Sequence, residues 1–153
     1  MITSQVVIAY TQCKLKAYLL LCTNKKGIPH EYISNLANEA RKNREEYIRR
    51  IQLKTSQIFS YSSERFKRGN SILYGAHLEF DDLRAYSDVL TRIEETSSTN
   101  QTNYTPTLVV GTHKISKAQR LQLAFIGHVL SKFQKERPAS GTIIGGGNKT
   151  HTI

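Results

Sequence analysis

"VVGTHKISKAQRLQLAFIGHVLSKFQ", residues 109–134, joins a run of β-forming residues to an amphipathic helix. Extended upstream to Pro106, its first part reads as a strand over 107–114. Pro is tolerated at the start of a strand, and Thr, Leu and Val suit a pleated, half-buried surface. Ser116-Lys117-Ala118-Gln119 then has the form of a capping box, in which Ser and Gln satisfy the first helical N–H groups. The helix is expected to reach about residue 136, with Leu121, Phe125, Val129 and Phe133 inward. Pro138 and Gly141 end it, and 142–144 begins another strand. Lys114 thus stands where a strand hands over to a helix, a place where a solvated lysine is the ordinary expectation.

Working outward, 72–80 is a β-forming run interrupted by Gly75. Residues 83–93 alternate, with Leu83, Ala85, Ser87, Val89, Thr91 and Ile93 on one face and Arg84, Tyr86, Asp88, Leu90 and Arg92 on the other. Asp81-Asp82 supplies the turn between these two strands, and 94–103 is a polar loop. Further upstream, 10–21 reads as a short helix with Ala17, Leu20 and Leu21 inward. Pro29 suits the first turn of the next helix. Over 31–53, Ile33, Leu36, Ala37, Ala40, Tyr47, Ile48 and Ile51 form one stripe at helical spacing, with Arg41, Lys42, Arg49 and Arg50 opposite. Helix, three strands, helix, strand predicts an α/β core with a mixed sheet.

The chain has 153 residues, enough for one domain, and a formal net charge of +10. That excess points to an acidic partner such as nucleic acid. The longest apolar run near the N-terminus, 17–22, is too short to span a bilayer, and residues 1–9 have no basic n-region before them, as a signal peptide requires. The two cysteines, Cys13 and Cys22, make no disulfide framework, and a four-ligand zinc or iron–sulfur site needs more. A reduced, cytoplasmic protein without a membrane partner is the expectation.

Asp88 is a charge in the middle of a strand, where Asp is depleted. It reads either as an edge residue facing water beside Arg84 and Arg92 or as an oxygen ligand for Mg²⁺. If the strands pair, Asp88 and Lys114 converge at one end of the sheet. A metal that activates water and a lysine that stabilises developing charge are what phosphodiester hydrolysis requires.

The order αβββαβ, the segment "YSDVL", the segment "YTPTLVVGTHKISK" and the following "QRLQLAF" resemble the PD-(D/E)XK nucleases. More narrowly they resemble RecB-like nucleases and the related CRISPR-associated exonucleases. The opening "YTQCKLKAYLLL" is similar to the helix that begins those proteins, and "REEYIRRIQ" to the segment of their first core helix that carries a His-Glu pair. The resemblance spans nearly the whole chain, 1–153, and lies in the order and spacing of short motifs. It implies a restriction-endonuclease-like αβββαβ core, a mixed central sheet flanked by helices, and metal-dependent cleavage of DNA with Mg²⁺ or Mn²⁺. By position it makes Asp88 and Glu46 metal ligands, Asp88 and Lys114 catalytic, and Gln122 a DNA contact. The charge balance adds Arg84, Arg92 and the basic first core helix as nucleic-acid contacts.

Two departures weaken the catalytic reading. The acidic residue two before the lysine is Thr112, a poor ligand beside a carboxylate. The histidine before the helix glutamate is Glu45. No iron–sulfur cluster is expected, since relatives that hold one use four cysteines. Glu46 beside Tyr47 reads equally as a solvated helix residue, and Gln122 as an exposed helix amide. The ending "GTIIGGGNKTHTI" reads as a strand, a Gly-rich turn and a second strand cut at its beginning, so a truncated domain and a missing C-terminal partner domain are expected. Three functions follow: a metal-dependent nuclease, a nuclease-like domain that binds nucleic acid without cutting it, or a basic interaction domain.

Overall fold

The computed structural model describes residues 1–23, 27–94, 102–134 and 136–153. Among them seven strands form one open, mixed sheet flanked by helices. Its centre is an antiparallel meander of β3 (Ile72–Phe80), β4 (Leu83–Arg92) and β5 (Tyr104–Val109). The turn between β3 and β4 is the expected one, with Asp81 at φ 49, a conformation Asp tolerates. Outside the meander, β2 (Ile58–Ser60) runs parallel to β3, and β6 (Thr142–Ile144) runs parallel to β5. The hairpin partner of β6 is β7 (Thr150–Thr152). The short β1 (Ile2–Thr3) pairs with the start of β4, at Leu83 and Arg84.

One core lies between the sheet and α5 (Lys117–Leu130). The capping box at Ser116 and Gln119 is formed through both its bonds. The helix is shorter than expected, and its buried side is Leu123, Phe125, Ile126, Val129 and Leu130. Phe133 falls in the turn after it and is partly exposed. Beyond that turn, the buried Gln134 completes the backbone of β5. Its amide accepts from Tyr104 N–H at 2.9 Å and donates to Tyr104 C=O at 3.1 Å. Inside β3, Gly75 has φ 68, and the alternation changes step there: Leu73 before it and Ala76 and Leu78 after it all join the core.

The N-terminal helix is two helices, α1 (Ser4–Gln12) and α2 (Lys14–Cys22), broken at the extended Cys13. Ala17 is buried as expected, whereas Leu20 and Leu21 are exposed. The long α3 (Glu31–Lys54) has no buried residue. Its half-buried stripe is Leu36, Ala40, Asn43, Arg44, Tyr47, Ile48 and Ile51, so two polar residues stand inside the apolar pattern. It crosses the exit of β5, where a Cβ on Gly111 would stand 2.7 Å from the Leu36 carbonyl oxygen. A short α4 (Ser63–Lys67) places Phe66 in the core. No helix among the described residues is long and apolar enough to cross a membrane. The expected loop 94–103 lies mostly outside the described residues.

Candidate functional site

Asp88 is 1% exposed, in the middle of β4. Because Tyr74 pairs with Val89 and Ala76 with Ser87, Gly75 falls opposite Asp88 on one side. On the other side the β4–β5 ladder brings Asp88 beside the end of β5, and its Oδ2 accepts the Val109 N–H at 2.6 Å. Its Oδ1 meets the Nε of Arg44, which descends from α3. The contact is an ion pair rather than a well-directed hydrogen bond. Asn43, the neighbour of Arg44, donates to the Val110 carbonyl at 2.9 Å and fixes α3 over the same strand end.

Burial pushes the Asp88 carboxyl above its ordinary value, while the Arg44 charge and the Val109 N–H pull the other way. A carboxylate removed from water is costly unless a cation and N–H groups meet it, and here one of each does. The Arg44 guanidinium also lies 5.3 Å from the centre of the Tyr86 ring. Tyr86 in turn meets His77, its cross-strand partner, with the ring centres 4.8 Å apart and the planes tilted. The buried carboxylate is thus linked through Arg44 and Tyr86 to an exposed imidazole on the sheet surface.

The other expected residues stand elsewhere. The strand expected over 107–114 is β5 and ends at Val109, so Lys114 lies five positions beyond it. The physical reason is the partner: β6 ends at Ile144, whose carbonyl accepts the Val110 N–H, and Gly111 then passes beneath α3. The loop is bound to the Gly-rich turn through the Thr112 carbonyl and the Gly146 N–H, 2.9 Å apart. Lys114 is exposed, and among the described residues it makes no ion pair; the cation beside Asp88 is Arg44. The Thr112 hydroxyl accepts from the Gln119 amide at 2.8 Å.

Glu46 pairs with Arg50 on the surface of α3, and Glu79 pairs with Arg84 at 2.6 Å. Arg92 donates to the Gly69 carbonyl at 2.7 Å, which ties β4 to the turn before β3. Gln122 lines a groove with His77, Arg84 and Tyr86. Cys13 and Cys22 are free and exposed. Among the described residues no three His, Cys, Asp or Glu side chains group as metal ligands do. Around Asp88 a cation and an N–H donor occupy the carboxylate, a donor set that does not fit Mg²⁺ or Mn²⁺.

Arg44 is the residue that sequence reasoning missed. The signal was present: Asn43 and Arg44 interrupt an apolar stripe at the spacing where Tyr47, Ile48 and Ile51 continue it. No protein-family model matches the chain, and no curated protein matches it.

Proposed function

We propose that this chain is a nucleic-acid-binding domain with a RecB-like nuclease architecture whose acidic centre is neutralised by an arginine instead of a metal ion. The Asp88–Arg44 pair carries this reading. In a metal-dependent nuclease the carboxylate collects a divalent cation that activates water. Here the charge it collects is a guanidinium, which cannot be deprotonated or generate hydroxide. The succession α3, β3, β4, β5, α5, β6, with β2 and α4 inserted between α3 and β3, supports the nuclease-like framework. The net charge of +10 supports a polyanionic partner. On α3, Arg41 and Arg49 make no ion pair among the described residues, so their charges remain available to phosphates.

A metal-dependent nuclease is the second reading, and one observation favours it. A Cβ on Gly75, opposite Asp88, would have nothing within 4 Å, and the Arg44 side chain is 32% exposed. Withdrawal of Arg44 would open the carboxylate to that space.

The test is binding of labelled DNA against salt concentration. Each phosphate neutralised contributes a log–log slope of about −0.9 on duplex and about −0.7 on single strands. A slope near zero would set aside a nucleic-acid partner and leave the basic interaction domain.

A further inference from the structure

We propose that the groove bounded by the start of α1, the β3–β4 hairpin and α5 is a nucleobase-stacking subsite. It rests on the reading that the chain binds nucleic acid. The groove encloses about 250 Å³, and His77, Arg84, Tyr86 and Gln122 line it together with Ser4 and Gln5. Within that lining His77 and Tyr86 are a cross-strand pair, whose ring centres lie 4.8 Å apart with their planes inclined at 56°. The Arg44 guanidinium, 5.3 Å from the Tyr86 ring centre, holds that ring from α3, and the pairing of Arg44 with Asp88 anchors the guanidinium in turn. Tyr86 is therefore fixed, and His77, the exposed member, rests on a fixed support.

A solvent-facing aromatic on a rigid strand is an ordered π-surface, and binding to it does not require ordering a loose side chain. Three chemistries converge around it. The imidazole offers a stacking face. The Gln122 amide offers both a donor and an acceptor, as the edge of a base requires. Arg84, half exposed and paired with Glu79 through its Nε, offers its remaining guanidinium N–H groups to the phosphate that accompanies a base. A planar heterocycle joined to a phosphate satisfies all three. The base must come from an unpaired segment, because bases within a duplex are already stacked on their neighbours.

The test compares two fluorescent oligonucleotides of equal length and charge, one of thymidines and one of abasic residues, by anisotropy at a single salt concentration. Stacking on one aromatic side chain contributes about 1–3 kcal/mol per base, so the protein should bind the thymidine strand at least about fivefold more tightly. His77→Ala should abolish that preference without weakening the abasic complex, and His77→Phe should keep it. Equal affinity of the unaltered protein for both strands, or a His77→Ala protein that still prefers thymidine as strongly, overturns the subsite while leaving nucleic-acid binding intact. Failure to bind either strand overturns the nucleic-acid reading itself.

Discussion

The guanidinium of Arg44 closes on the carboxylate of Asp88 across the space between an exposed helix and the centre of the sheet. One partner is almost wholly buried and the other is a third exposed. Such a pair fixes where α3 sits, since the helix has no buried apolar residue of its own to anchor it.

Arg44→Ala leaves the Asp88 charge buried beside a single N–H donor. Loss of one partner from a buried pair costs about 3–5 kcal/mol, and the partial exposure of Arg44 places the expected loss near the lower figure. Urea denaturation measures it. The double variant Arg44→Met with Asp88→Leu should be more stable than Arg44→Ala, because no unpaired charge remains. Single variants indistinguishable from the unaltered protein would show that the pair does not hold α3.

Stability should also vary with pH through Asp88. Burial raises its folded carboxyl above the ordinary 3.8, against the opposing pull of Arg44. The folded state therefore takes up a proton before the unfolded chain does. The stabilisation from that proton is fully present below 3.8 and is lost as pH rises through the folded value. Relative to Asp88→Asn, the unaltered protein should lose stability over that interval. Arg44→Met, which removes the main opposing charge, should push the carboxyl higher and carry the loss to higher pH. Melting temperatures across the acid range read both effects, and a relative gain over the same interval would contradict them.

How much of this was legible in the sequence depended on how local each signal is. The alternation expected along β4 is lost at Asp88, where 87–90 are all buried and Ala85 and Leu90, expected on opposite faces, join one core. The capping box at Ser116 and Gln119 and the Asp81 turn are set by neighbouring residues, and each stands where the sequence places it. The end of β5 is different. Residues 110–114 have strand-like composition, yet the ladder stops with β6, and Gly111 is needed beneath Leu36, a residue 75 positions earlier. That shift of a strand end removed Lys114 from the sheet. The partner of Asp88 was equally non-local. The stripe on α3 contained Arg44, but only the fold shows which carboxylate it meets.

Thr112→Glu should not create metal-dependent cleavage. Position 112 lies beyond β5 and its hydroxyl is held by Gln119, so a new carboxylate there does not join Asp88 on the paired strands. Incubation of DNA with the variant and Mn²⁺ should leave it intact. Cleavage that appears with Thr112→Glu and vanishes when Asp88→Ala is added would place both residues in one metal site.

Arg41→Ala and Arg49→Ala should each reduce the steepness of the salt dependence by about 0.7–0.9 per lost phosphate contact and leave the urea midpoint unchanged. Arg92→Ala should do the reverse, since Arg92 is spent on the Gly69 carbonyl. Salt titrations beside denaturation curves separate the two classes. A loss of slope confined to Arg92→Ala would move the phosphate-binding face away from α3.

The central claim is that Arg44, not a metal ion, answers the charge of Asp88. Native electrophoresis of labelled DNA with Mn²⁺ reads complex and cleavage product in the same lane. The unaltered protein and Asp88→Asn should both retain the DNA as complex and release no shortened product. Product from the unaltered protein that disappears with Asp88→Asn would contradict the account and restore Asp88 as a catalytic metal ligand.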